Sequence, residues 1–202
     1  MGTVLAALGP HVTPHHLVIS IAAGVRLETL EAALGAGARV VRVMPNTPCL
    51  VAAGASAYAL GAHATQADAD LVHSLLGSVG LAIQVEEKMM NAVTGLSGSG
   101  PAYVFLMIEA LADGGVAAGL PRDTALALAA QTVAGAAQMV LQGDNDDDGS
   151  VLGLVHPAVL KDKVASPAGT TIAGICELET SGVRGAFMRA VKAAAARSEE
   201  LG

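Results

Sequence analysis

The chain has 202 residues, of which 52% are hydrophobic and 14% charged, and its formal net charge is −7. That length can carry a real core, and that hydrophobicity excludes a disordered chain. An acidic sequence with scattered basic residues also lacks the electrostatic footprint of a nucleic-acid binder.

From the N-terminus, the stretch MGTVLAALGPHVTPHH has no basic region followed by an apolar run, and it is not rich in Arg or Ser. Neither a signal peptide nor a transit peptide is expected in it. Val4 to Leu8 predicts a short helix. LVISIA (Leu17 to Ala22) predicts a buried strand ending at Ala23-Gly24, and Leu27 to Leu34 a helix with an acidic first turn. RVVRVM (Arg39 to Met44) predicts a second strand, ending in Pro45-Asn46-Thr47-Pro48. A third strand is expected at Ala55 to Leu60, a helix over Gln66 to Val79, and a last strand at Leu81 to Val85. Strands alternating with helices point to an α/β sheet.

From about Glu87 onward the pattern is helix only. Pro101 to Ala118 forms one helix ended by Gly119. A second restarts at Pro121 and runs to about Gln142. Gly143 to Leu154 is an acidic, turn-rich loop with the composition of a solvated surface segment. Further helices are expected near His156 to Val164, from Thr170, and from Gly185. The uncharged runs Met89 to Ile108 and Thr124 to Gly143 are long enough to span a membrane. The glycines and Pro101 in the first, and Thr124, Gln131, Thr132, Gln138 and Gln142 in the second, favour helices buried on most sides. Such helices need more neighbours than a small monomer supplies, which points to a subunit interface.

Chemistry-bearing residues are few. Cys49 and Cys176 cannot form a disulfide framework and share no metal-like spacing with the six histidines. Two buried thiols in a reducing compartment are expected. His11, His15, His16, His63, His73 and His156 read as surface or structural residues, and no metal site is expected. In an open α/β sheet, ligands bind beyond the carboxyl ends of the strands. Two strands here end in turns, at IAAGV (Ile21 to Val25) and MPNTP (Met44 to Pro48). Gly24 would let a backbone approach a flat ring, and Asn46 and Thr47 offer a polar edge; a purely structural turn explains them equally well. GLSGSGP (Gly95 to Pro101) is neither a G-x-G-x-x-G turn nor a Walker loop, and reads first as a close-packed helix entry. In KDKVASPAGTTIAG, the turn Ser166-Pro167-Ala168-Gly169 leads into a helix whose free N–H groups would attract a carboxylate. Ser166 could equally be a helix cap.

These motifs carry a resemblance to a known family. Pro157, Leu160, Val164, Ala165, Ser166, Gly169, Thr171, Gly174, Ile175, Leu178 and Glu179 match the C-terminal signature of the Δ1-pyrroline-5-carboxylate reductases. Ala92 to Arg122 resembles their helical domain, and the order IAAGV, MPNTP, GLSGSGPAY, SPAGTT is theirs. The resemblance implies an α/β fold, part of a Rossmann-type dinucleotide-binding domain over residues 1–86. An all-α dimerisation and substrate-binding domain would follow over residues 87–202. It implies an NAD(P)H oxidoreductase that reduces the cyclic imine 1-pyrroline-5-carboxylate to proline, using NADPH or NADH. It further implies a cytoplasmic homodimer or larger homo-oligomer, with no nucleic-acid or membrane partner. Thr171 falls at the position of the threonine that hydrogen-bonds the imine nitrogen. Ser166, Gly169 and Thr170 match the carboxylate loop, with Asp162 and Val164 on neighbouring pocket positions. Ala22, Ala23, Gly24, Asn46, Thr47 and Pro48 match segments near the nicotinamide. The family's Gly-rich cofactor turn has no counterpart in these 202 residues and is expected upstream of Met1. A module that pairs with full-length subunits without catalysis is the alternative.

Overall fold

The computed structural model describes residues 2–142 and 153–201, so most of the acidic loop expected at Gly143 to Leu154 lies outside the described residues. The chain falls into two compact units, residues 1–102 with 187–202, and residues 103–186.

The first unit is built on a four-stranded sheet. Strands β1 (Leu17–Ser20), β2 (Arg39–Met44), β3 (Gly54–Leu60) and β4 (Gly80–Gln84) lie side by side in chain order. β1 and β2 are parallel, β2 and β3 antiparallel, and β3 and β4 parallel; Val41 faces Leu60 and Met44 faces Ala57 across the antiparallel pair. Each parallel pair needs a crossover, and helices α2 (Leu27–Leu34) and α3 (Gln66–Gly77) supply them. β2 shows why the sheet holds two layers. Side chains alternate along a strand, so Val40 and Met44 pack with Leu27, Leu30, Leu34 and Met90 on one face. Val41 and Val43 pack with Tyr58, Ala69 and Val72 on the other.

Polar residues fix the ends of these elements. Thr65 and Asp68 form a reciprocal capping box at the start of α3. Asp68 also accepts from Arg39 Nη1 at 2.8 Å, while Arg39 Nη2 donates to the carbonyl of His15 at 3.0 Å. The carboxyl of Asp68 is held below the usual carboxylate range, chiefly by the Thr65 N–H. Burial opposes this, and the Thr65 hydroxyl and the Arg39 guanidinium reinforce it. Tyr58 stands edge-on to His73, and its phenol is pushed up by burial and then by Asp70.

After β4 the chain enters a 3₁₀ turn (Glu87–Met89), a single helical turn α4 (Met90–Val93) and a π-helical turn (Thr94–Gly98), which runs into α5 (Gly100–Ala117). Gly95 is buried here. A Cβ at Gly95 would lie 2.5 Å from the carbonyl oxygen of Val191 and 2.9 Å from the amide of Ala195, so only glycine admits the last helix, α9 (Val183–Glu200), at this distance. The expected close-packed helix entry is therefore present, in wider π form.

The second unit contains the rest of α5 with α6 (Arg122–Leu141), α7 (Pro157–Val164) and α8 (Thr170–Thr180). Small residues let α5 and α6 meet: Ala112, Ala125 and Ala129 are buried together, flanked by Ile108 and Val116. Gly119 makes the intervening turn at φ 102°, a conformation that side-chain-bearing residues avoid.

Within one chain α5 and α6 stay largely uncovered, as helices that need a neighbouring subunit should. Phe105 is 63% and Leu106 67% exposed, and Leu126, Leu128 and Met139 are exposed as well. α6 is long and apolar enough to cross a membrane by length and composition. The expectation of two buried thiols is corrected: Cys49 is half-buried and Cys176 exposed, and both are free thiols.

Candidate functional site

The carboxyl ends of β1 and β2 open into a cleft of about 480 Å³. Its walls come from Ala23 in the turn after β1, from Met44, Pro45, Asn46, Thr47, Cys49 and Leu50 at and after β2, and from Thr94, Gly98 and Ser99 in the π-helical segment. Each wall has a local cause. Gly24 is buried with φ 78°, so the chain can leave β1 sharply and turn towards α2. On the β2 side, Asn46 Oδ1 accepts a hydrogen bond from the Ala55 amide at 2.8 Å. That bond ties the Pro45–Thr47 turn to the start of β3, leaving the following 3₁₀ turn (Thr47–Val51) to carry Cys49 and Leu50 out to the rim.

The third wall depends on the π turn. In an α-helix, five residues advance about 500°, which would place Ser99 roughly 140° away from Thr94. Here the Ser99 amide bonds to the Thr94 carbonyl at 2.8 Å, an i to i+5 closure that brings both residues to the cleft side. Thr94 Oγ1 returns a bond to the Met90 carbonyl, and Ser97 Oγ to that of Val93. Gly98 rests on Met44; a Cβ there would come within 3.2 Å of its sulfur. The cleft is mostly apolar with a few hydroxyl and amide groups, suited to one face of a flat heterocycle.

Of the residues matched to the cofactor segments, Ala23, Asn46 and Thr47 line this cleft. Pro48 sits within the rim turn, while Ala22 and Gly24 flank Ala23 and shape the turn without lining the cleft. Met44, Pro45, Cys49, Leu50, Thr94, Gly98 and Ser99 complete it and are absent from that set. The signal for two of them, Gly98 and Ser99, lies in GLSGSG, but a helical wheel of ordinary pitch puts Ser99 and the preceding Thr94 on different faces.

The residues matched to the substrate loop lie in the second unit. The Gly169 amide bonds to the Ser166 carbonyl at 3.1 Å, closing a tight turn. Ala168 takes a left-handed φ of 54°, a strained value for a residue with a Cβ. Gly169 is the residue before α8 and has no side-chain cap bond, so Ser166 does not cap the helix. The turn thus presents the first amides of α8 with no capping side chain on them. Thr170 is exposed and Thr171 half-buried in that first turn. Val164 ends α7 and is exposed, and Asp162 is exposed and paired with Lys161 at 2.5 Å. The structure therefore gathers Ser166, Gly169, Thr170 and Thr171 into one turn-and-helix start, with Asp162 and Val164 on the preceding helix.

No group of three or more His, Cys, Asp or Glu able to hold a metal occurs among the described residues. The histidines found in contacts act locally: His16 Nδ1 bonds to Thr13, and His156 caps α7 through the Ala158 amide.

Residues 87–201 match the family described as pyrroline-5-carboxylate reductase dimerisation. A pyrroline-5-carboxylate reductase of Glycine max is 54% identical over 198 residues, covering 98% of this chain and 68% of that protein. One of Methanosarcina acetivorans is 52% identical over 202 residues, covering 100% and 71%. The crystal structure of the Plasmodium falciparum pyrroline carboxylate reductase with NADP bound superposes with a TM-score of 0.88 at 36% identity, covering 100% of this chain and 77% of that one.

Proposed function

This chain belongs to the pyrroline-5-carboxylate reductase family, and from that premise we propose that it reduces 1-pyrroline-5-carboxylate to L-proline with a nicotinamide dinucleotide, in the last step of proline formation. The observation that carries this reading is the apolar cleft at the carboxyl ends of β1 and β2, in a chain so similar to enzymes of that name. The cleft residues fit the cofactor's ring. Ala23 and Gly98 present little more than backbone, and Asn46 and Thr47 supply polar atoms at one edge. The nicotinamide, when bound, supplies a hydride. The protein's own residues hold the ring flat and exclude water from its apolar face.

In the second unit, the open amides at the start of α8 suit the substrate carboxylate. The Thr171 hydroxyl holds a proton near the imine nitrogen, which makes the adjacent carbon a better acceptor. Asp162, Val164, Ser166, Gly169 and Thr170 complete this set, and Ala22, Ala23, Gly24, Asn46, Thr47 and Pro48 serve the cofactor. Residues 1–86 form the nucleotide-binding part and residues 87–202 the dimerising, substrate-binding part. The apolar helix faces support a homodimer or larger assembly. Two free thiols suit a reducing compartment, and the reading places the enzyme in the cytoplasm.

Substrate-dependent oxidation of NADH and NADPH by the purified protein tests this directly and ranks the two cofactors. Thr171→Val should lower kcat by about 10²-fold or more, the scale of one proton-handling group, while Thr171→Ser keeps most of it. Equal activity in the two variants would remove Thr171 from the chemistry. The second reading is an assembly module that pairs with reductase subunits without turning over. It draws on the dimerisation match over residues 87–201. Co-purification with an active subunit, without activity of its own, would select it.

A further inference from the structure

Arg42 is a charge in the wrong place. It lies on β2 between Val40 and Met44, on the face that packs with Leu27, Leu30 and Met90, and it is only 4% exposed. A guanidinium buried among apolar side chains carries a desolvation cost of several kcal/mol unless it is paired, and buried pairs seldom stabilise a fold overall. The pairing partner is Glu87, whose Oε1 receives Arg42 Nη1 at 3.2 Å. The same oxygen also accepts the Leu27 amide at 2.5 Å. Leu27 opens α2, and Arg26 before it makes no side-chain cap bond, so the carboxylate of Glu87 serves as the cap from 60 residues away. A negative charge there also suits the positive end of the helix.

The two segments that Glu87 joins are the two outer walls of the cleft. Leu27 lies three residues after Gly24, the last residue of the Ala22–Gly24 turn, which contributes Ala23. Glu87 itself begins the 3₁₀ turn that feeds the Met90–Ser99 segment, which contributes Thr94, Gly98 and Ser99. Between them lies β2, where Arg42 is two residues from Met44, the cleft residue on the same face of the strand. One carboxylate therefore ties the first wall to the third across the strand that supplies the second. A pocket of about 340 Å³ opens beside the pair, so Glu87 keeps some contact with solvent.

We infer that Glu87 and Arg42 are positioning residues for the cofactor: they set the width of the cleft without lining it. This rests on the cleft holding the nicotinamide end of the cofactor. The consequence is a loss of cofactor affinity with little change in turnover once bound, because neither residue of the pair lines the cleft.

The test compares Glu87→Gln, Glu87→Ala and Arg42→Met with Asp68→Asn. The last weakens the other ion pair of this sheet, Arg39 with Asp68, on the face away from the cleft floor. NADPH affinity is read by fluorescence titration, with KM and kcat from steady-state assays and Tm from thermal melts. Glu87→Ala and Arg42→Met should raise Kd and KM for the cofactor about tenfold or more, within what a sub-ångström misplacement costs, with kcat nearly unchanged. Glu87→Gln retains an acceptor for the Leu27 amide and should fall between them and the wild type. Asp68→Asn should lower Tm and leave Kd unchanged. If the Glu87 and Arg42 variants follow the Asp68→Asn pattern, losing Tm without a change in Kd, the inference is wrong. A full-length wild type that binds neither NADH nor NADPH would instead remove the reading of the cleft, and the inference with it.

Discussion

Asn46 shows how a residue type can be right and its work only half visible. An Asn in a turn after a strand reads as a polar edge for a ligand or as a turn former. In the structure its Oδ1 is committed to the Ala55 amide, nine residues on, so it also anchors β3. Asn46→Ala should therefore cost about 1–3 kcal/mol from an unsatisfied amide and raise KM for the cofactor as well. Asn46→Asp, which keeps the acceptor, should recover most of the stability; denaturant melts on both variants check this. Gly24 reads in the sequence as a close-approach glycine for a flat ring, whereas the structure uses it for a turn at φ 78° beside the lining residue Ala23. Ala168 was not legible, because nothing in its side chain announces a left-handed φ of 54°. The turn Ser166–Gly169 enforces it, and only the assembled loop shows the strain.

Among the elements, the regular ones were read closely and the irregular one was missed. RVVRVM at 39–44 is a short apolar run closed by a Pro-rich turn, LETLEAAL at 27–34 repeats its leucines with a period of about 3.6, and both elements have the expected bounds. The π turn at Thr94–Gly98 has no such period, so the hydroxyls it aims at the cleft were assigned to a plain helix entry. At the start of α3 the capping box makes a pH prediction. The folded-state pKa of Asp68 is depressed, so its contribution is complete above the ordinary aspartate value of about 3.9. It is lost as pH falls below that value and through the folded one. The Tm of the wild type should therefore drop more steeply than that of Asp68→Asn below about pH 4, in melts taken across that range. Parallel slopes would mean that the Thr65–Asp68 box contributes nothing to the acid limb.

On the scale of the whole molecule, composition carried the main inference about assembly. Helices apolar on every side were expected to need neighbours, and α5 and α6 leave Phe105, Leu106, Leu126 and Leu128 uncovered within one chain. The match of residues 87–201 to a dimerisation family supports association between copies of this chain. Replacing both Phe105 and Leu106 by Glu should lower the sedimenting mass towards that of one 20.0 kDa chain, since charge at the centre of an apolar interface opposes association. An unchanged mass would place the subunit contact elsewhere.

The return of the chain to its beginning has a further consequence. Residues 187–202 belong to the same compact unit as residues 1–102. Ser198 Oγ bonds to Asn91 at 3.0 Å, and Val191 and Ala195 back onto the only kind of residue that fits at position 95. During synthesis, the sheet and its cleft segment must therefore wait while residues 103–186 are made, about 4–17 s at ordinary elongation rates. Until α9 emerges, the groove beside Gly95 is an unfilled apolar surface on a nascent chain. A ribosome stalled at residue 186 should carry a first unit that proteases and chaperones still recognise, and the chain released after α9 should not.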